Sequence, residues 1–128
     1  MALERTLWRA CDDGIIVGTA ALAARREDAE TYLSNPGYGG SSLWRADVTI
    51  DPARVLDLTE AASPLDVLVD LVGYHPGAIG AEEWAPQVSE TLHAAGYDWV
   101  RVLDSYPVGC ETWIWIGGDE DEPEMEEA

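Results

Sequence analysis

The sequence predicts an α+β domain in which short strands form a mixed or antiparallel core flanked by about three helices. Three observations carry that expectation. LWRADVTI (43–50), WVRVL (99–103) and ETWIWI (111–116) alternate and are rich in β-branched and aromatic residues, as half-buried strands are. Segments beginning at Ser63-Pro64 and near Pro86 instead hold helical signals, with proline at the start and glycine at the end. The length of 128 residues, 47% of them hydrophobic, suits one domain with a real core.

The elements follow in chain order. TLWRA (6–10) is a short strand before the polar turn CDDG. The apolar run IIVGTAALAA leads as a strand into a helix over RREDAETYL, where Ala29, Tyr32 and Leu33 recur at helical spacing behind an acidic first turn. SNPGYGGSS (34–42) is a loop by its density of turn formers. LWRADVTI is the next strand, and DPARVLDLT passes through a proline turn into a short extended piece. After Ser63-Pro64, the residues Leu65, Leu68, Val69 and Val72 keep one helix face apolar up to the breaker GYHPGAIG. In AEEWAPQVSETLHAAG, Pro86 sets the helix start and Gly96 the cap. WVRVL and ETWIWI close the chain as strands joined by SYPVG, with no internal repeat or linker.

Charge is the most unusual bulk property. Twenty-five Asp and Glu oppose seven Arg and no Lys, for a net −18. Without the seven acids of DEDEPEMEEA, residues 1–118 still carry −11. Such a field repels nucleic acid and anionic membranes, and it suits either a protein partner with a basic surface or solubility alone. Residues 119–128 have the composition of a disordered acidic tail, so deleting them is expected to leave stability nearly unchanged. No apolar run approaches the roughly 18 residues of a membrane span, and MALERTLWRA lacks a secretory h-region, so a cytoplasmic protein is expected. Cys11 and Cys110 read as reduced thiols, and a metal site is not expected. His75 and His93 have no Ser or Cys partner at a recognisable spacing and read as structural.

Asp104 and Glu111 stand where strand should give way to loop, either as solvated loop residues or as two acids on the rim of a cleft. TLWRA, ALAARREDAETYL, LWRADVTIDPARVLDLT and AAGYDWVRVLDSYPVGCETWIWI, in this order, resemble the ADP-ribosyltransferase-like fold over residues 5–116. The likeness is to small bacterial and phage members, including anti-CRISPR ADP-ribosyltransferases. It implies an enzyme that cleaves NAD and transfers ADP-ribose to a protein, without a metal. Asp104 and Glu111 would then be the catalytic carboxylates beside an oxocarbenium-like ribose. Arg9 would fork onto the pyrophosphate, and Tyr32 and Tyr38 would offer rings to the nicotinamide.

Each assignment has a plainer counterpart. Arg9 can pair with Asp12 or Asp13, Tyr32 can belong to the core, Asp104 can cap the SYPVG turn, and Glu111 can be a solvent-side strand residue. The junction AARRED lacks the Ser or Thr common in the family, and Glu111 follows Gly109-Cys110 rather than a Glu-X or Gln-X pair. A second reading therefore stays open: a non-catalytic acidic inhibitor occupying a basic, nucleic-acid-binding groove of its partner.

Overall fold

A connection of four residues shapes the whole sheet. The computed structural model describes residues 2–11, 20–33, 42–73, 86–105, 108–117 and 123–128. Its strands are β1 (Leu3–Cys11), β2 (Ala20–Ala23), β3 (Ser42–Ile50), β4 (Val55–Asp57), β5 (Trp99–Ser105), β6 (Val108–Trp115) and β7 (Glu126–Glu127). The helices are α1 (Arg26–Leu33), α2 (Pro64–Val72) and α3 (Pro86–Ala94), so the protein is mixed α and β. The strands form one sheet in the order β4-β5-β6-β2-β1-β3-β7, antiparallel throughout except for the parallel β4–β5 pair.

In that order β3 and β4 lie five strand spacings apart, about 24 Å across a flat sheet. Yet the chain from Ile50 to Val55 spans at most about 17 Å fully extended, and Pro52–Arg54 is coiled as a 3-10 turn. The sheet must therefore curl until β3 approaches β4. Arg54, at the end of the connection, is tied to the start of β5 by two hydrogen bonds to Asp98, Nε to Oδ2 at 2.6 Å and Nη2 to Oδ1 at 2.9 Å. The Asp98 amide donates back to the Arg54 carbonyl at 2.8 Å, and the Asp98 carbonyl accepts from Ile116 N–H at 2.9 Å.

Curling separates two cores. On the concave face Leu7, Leu22, Ala46, Ile50, Trp99, Trp113 and Trp115 form a cluster, with Leu3, Val48 and Val55 packed against it. Trp99 meets Trp113 and Trp115 edge-on, with centroids 6.2 and 5.1 Å apart, an arrangement that aromatic quadrupoles favour. The convex face takes the helices. Leu68 of α2 and Val88 and Leu92 of α3 are fully buried against Val100, Val102, Ile114 and Ile116. Ala29 of α1 sits with Ala23 and Leu43, where only a small side chain lets helix and sheet approach.

Most expected elements stand where the sequence puts them. Ser63 precedes α2 with Pro64 in its first turn, and α3 starts at Pro86. Gly96, after α3, has φ +106°, a left-handed conformation that residues with a Cβ rarely adopt. β1 begins three residues before TLWRA because β3 pairs with it rung for rung from Leu3↔Ile50 to Cys11↔Ser42. Residues 15–19 of the second apolar run and 34–41 of the SNPGYGGSS loop lie outside the described residues.

The acidic tail departs from expectation at its end. Glu126 and Glu127 form β7 on the edge of β3, opposite Arg45 and Trp44, and Ala128 N–H donates to the Leu43 carbonyl at 2.9 Å. Backbone pairing leaves both carboxylates in water, so acidity does not oppose it, while Met125 packs its apolar side chain against the concave cluster. Glu126 also lies 3.5 Å from Arg45.

Two stability measurements check this packing. Deleting residues 123–128 should lower the thermal midpoint by roughly 2–8 °C, corresponding to about 1–2 kcal/mol, because the Met125 contact and the β7 ladder disappear. An unchanged midpoint would mean that the segment contributes nothing. Gly117→Ala should cost about 1–3 kcal/mol in chemical denaturation, since a Cβ there would fall 2.4 Å from the Trp115 ring.

Candidate functional site

Strand alternation sends every second residue of β4, β5 and β6 to the concave face. The rungs place Asp57 opposite Arg101, Arg101 opposite Trp113, and Leu103 opposite Glu111. Arg101 bridges two acids from different strands. Its Nε donates to Glu111 Oε1 at 2.6 Å, and its Nη1 donates to Asp57 Oδ2 at 2.9 Å. The guanidinium carbon lies 5.5 Å from the centroid of the Trp113 ring, within reach of a cation–π attraction. Asp57 is fixed in turn by Thr59, whose backbone N–H and hydroxyl both donate to Oδ1, at 2.9 and 2.6 Å.

The row is only partly withdrawn from water, with Arg101 and Glu111 each about a third exposed, at 32% and 31%. Leu103, facing Glu111 across the ladder, is an exposed apolar residue at 51%. Burial pushes the Asp57 carboxyl upward, but the Thr59 hydroxyl and amide and the Arg101 guanidinium outweigh it, leaving Asp57 below the usual carboxylate range. Burial likewise disfavours charged Arg101, yet Glu111 and Asp57 together hold its pKa above the ordinary arginine value. Beneath this cation, the Trp113 indole Nε1 is buried with no hydrogen-bond partner among the described residues.

The residues expected from sequence fall at different points around this row. Glu111 is on the concave face but is the fourth residue of β6 rather than its start, because β6 begins at Val108 and takes in the Val-Gly of the expected SYPVG loop. Asp104 lies in β5, opposite Cys110 on the rung next to Leu103–Glu111, beside a register irregularity between Asp104 and Ser105. Its side chain lies outside the described residues. Arg9 is on β1, and its Nη1 donates to the Ala21 carbonyl of β2 at 3.0 Å. Asp12 and Asp13, its alternative partners, lie outside the described residues, as does Tyr38. Tyr32 stands in the last turn of α1, with its side chain likewise outside.

Arg9 shares the inward alternation of Leu7, as Glu111 shares that of Trp113, so both belong to the concave face. Only β2 separates their strands, a gap of about 10 Å at ordinary strand spacing. Sequence reading missed Arg101 and Asp57. The available signal was an Arg inside WVRVL, where alternation faces it the same way as Trp99 and Leu103 and so calls for partners on neighbouring strands.

Other candidate groups hold apart from this row. His93, at the end of α3, has Nδ1 3.0 Å from the Tyr97 carbonyl and 3.4 Å from Asp98 Oδ1, consistent with a structural place. Cys11 is a free thiol. No cluster of three or more His, Cys, Asp or Glu suited to a metal occurs among the described residues. No helix of the described residues is long and apolar enough to cross a membrane. A groove of about 350 Å³ lined by Glu4, Arg5, Thr6, Asp47, Val48 and Thr49 lies toward the other end of β1 from Arg9.

Comparison of the chain with protein-family models, curated proteins and solved structures found no match.

The lowered pKa of Asp57 has a pH signature. A carboxyl whose folded pKa lies below its unfolded value contributes stability that is present above the unfolded value, near pH 4, and lost as pH falls through the folded one. Asp57→Asn should therefore flatten the loss of stability below about pH 4 relative to the wild type. Because Asp57 is nearly half exposed, the difference should be under about 1 kcal/mol in denaturant titrations at pH 7 and pH 3.

Proposed function

We propose that the protein binds NAD along the concave face and transfers ADP-ribose to a protein side chain. The observation that carries this reading is the placing of Arg9 and Glu111 on one face with only β2 between them. A guanidinium and a carboxylate from strands with one neighbour between them suit a dinucleotide whose pyrophosphate and nicotinamide ribose are bound side by side. Leu7, Leu22 and Trp113, on the same face, are buried in the packed concave cluster and give the two charged groups a rigid apolar support.

In this mechanism the bond between ribose C1′ and the nicotinamide nitrogen breaks. Its electron pair leaves with nicotinamide, which becomes neutral. The ribose carries the resulting positive charge as an oxocarbenium-like centre, which the Glu111 carboxylate stabilises electrostatically. The acceptor's nucleophile then bonds to C1′ and releases its proton. Asp104 is the second acid that the sequence offers, one rung from Glu111 on the ladder, and Tyr32 and Tyr38 are the candidate partners for the flat cationic ring. The net charge of −18 suits an acceptor protein with a basic surface.

Glu111→Gln should lower transfer of labelled ADP-ribose at least about 100-fold while NAD affinity by calorimetry stays within about threefold. Asp104→Asn, assayed in parallel, reports whether the second acid contributes. Arg9→Lys should weaken NAD binding about tenfold, through loss of the planar fork, and Arg9→Ala up to about 100-fold. Equal affinities in all three proteins would remove Arg9 from the site. Absence of NAD binding by the wild type would return the chain to the acidic inhibitor reading, which its charge favours.

A further inference from the structure

We infer that Arg101 is a positioning residue, which holds the Glu111 carboxylate in place on the concave face and ties it through Asp57 to edge strand β4. The inference rests on the ADP-ribose transfer reading and adds a residue set to it. Arg101 is held on three sides, by Glu111 at 2.6 Å, by Asp57 at 2.9 Å and by the face of Trp113. Asp57 is itself fixed by two donors from Thr59, so the chain of contacts ends on backbone rather than on another flexible side chain.

Stability alone does not account for this arrangement. The concave neighbours of Arg101 are Trp99, Trp113 and Leu103, against which an apolar residue would pack without desolvating any charge. Partly buried ion pairs commonly add little to stability relative to such a residue, whereas they do impose a defined geometry. A planar guanidinium donating to two carboxylates from separate nitrogens sets their relative placement, which a lysine ammonium would not do. A carboxylate facing a developing cation needs that fixed placement, because displacement by about 1 Å can cost about 100-fold in rate.

The test uses the full chain, with NAD cleavage and transfer measured for Arg101→Met, Arg101→Lys, Arg101→Ala and Asp57→Asn. Arg101→Met should lower kcat about 30- to 100-fold with KM for NAD within about threefold, and Arg101→Lys should recover part of the loss. Added guanidinium should restore activity to Arg101→Ala, which a merely misfolded variant would not allow. Asp57→Asn should lower kcat by about three- to tenfold. Because Arg101 acts through Glu111, the double variant Arg101→Met with Glu111→Gln should be no slower than Glu111→Gln alone. Wild-type activity with an Arg101→Met kcat within threefold, or with fully additive losses in the double variant, overturns the positioning role and leaves the transfer reading standing. A wild type that neither binds nor cleaves NAD overturns both.

Discussion

The four-residue connection from β3 to β4 is the constraint on which the other features depend. A flat sheet in the observed strand order cannot be joined by Asp51–Arg54, so the sheet curls, and curling gives it an inside and an outside. Asp98 binds the end of this connection to the central strands with both side chain and backbone, meeting Arg54 before β4 on one side and Ile116 after β6 on the other. The Gly-Tyr-Asp turn before β5 is thus a clasp. Its aspartate belongs to the architecture, whereas Glu111, on β6, stands on the concave face paired with Arg101.

Division of labour between the faces follows from that curl. The three helices pack on the convex side, where Leu68, Val88 and Leu92 meet aliphatic strand residues and no charged group enters the cluster. The concave side combines a tryptophan-rich core with Arg9, Arg101, Glu111 and Asp57 on the same strands. Charged groups on rigid strands keep their mutual distances better than groups on loops, so their geometry is inherited from the ladder. At one margin β7 covers part of the β3 edge with a two-residue strand bearing exposed glutamates. This matches the general habit of ending sheets in short, charged strands that resist pairing with other molecules.

Local signals in the sequence were sufficient wherever one stretch decides its own structure. Pro64, Pro86 and Gly96 marked helix ends, and the alternation of WVRVL and ETWIWI marked the central strands. The fold class and three helices followed from these. What local reading could not provide was anything set by strand order. The pairing of β2 with β6, the meeting of Asp57 with Arg101, and the neighbourhood of Arg9 and Glu111 join residues dozens of positions apart. Glu111 was legible as an acid near a strand, yet not as the partner of Arg101, because that depends on the register that sets it opposite Leu103. The tail misled for a different reason. Its acidity forecast solvation of side chains correctly, but strand pairing uses backbone groups that composition does not reveal.

The edge-on group formed by Trp99, Trp113 and Trp115 has an optical consequence. The Trp99 indole, held 6.2 Å from Trp113 and 5.1 Å from Trp115 at interplanar angles of 84° and 65°, couples its electronic transitions with theirs, and the coupling vanishes once the rings rotate freely. The near-ultraviolet dichroism of this protein is therefore a direct signal of side-chain order over the β5–β6 pair. It distinguishes the curled native state from a compact state that keeps its helices and loses its side-chain order. Since Trp113 also lies beneath Arg101, indole emission from the same group is sensitive to any charge brought to or taken from the concave face.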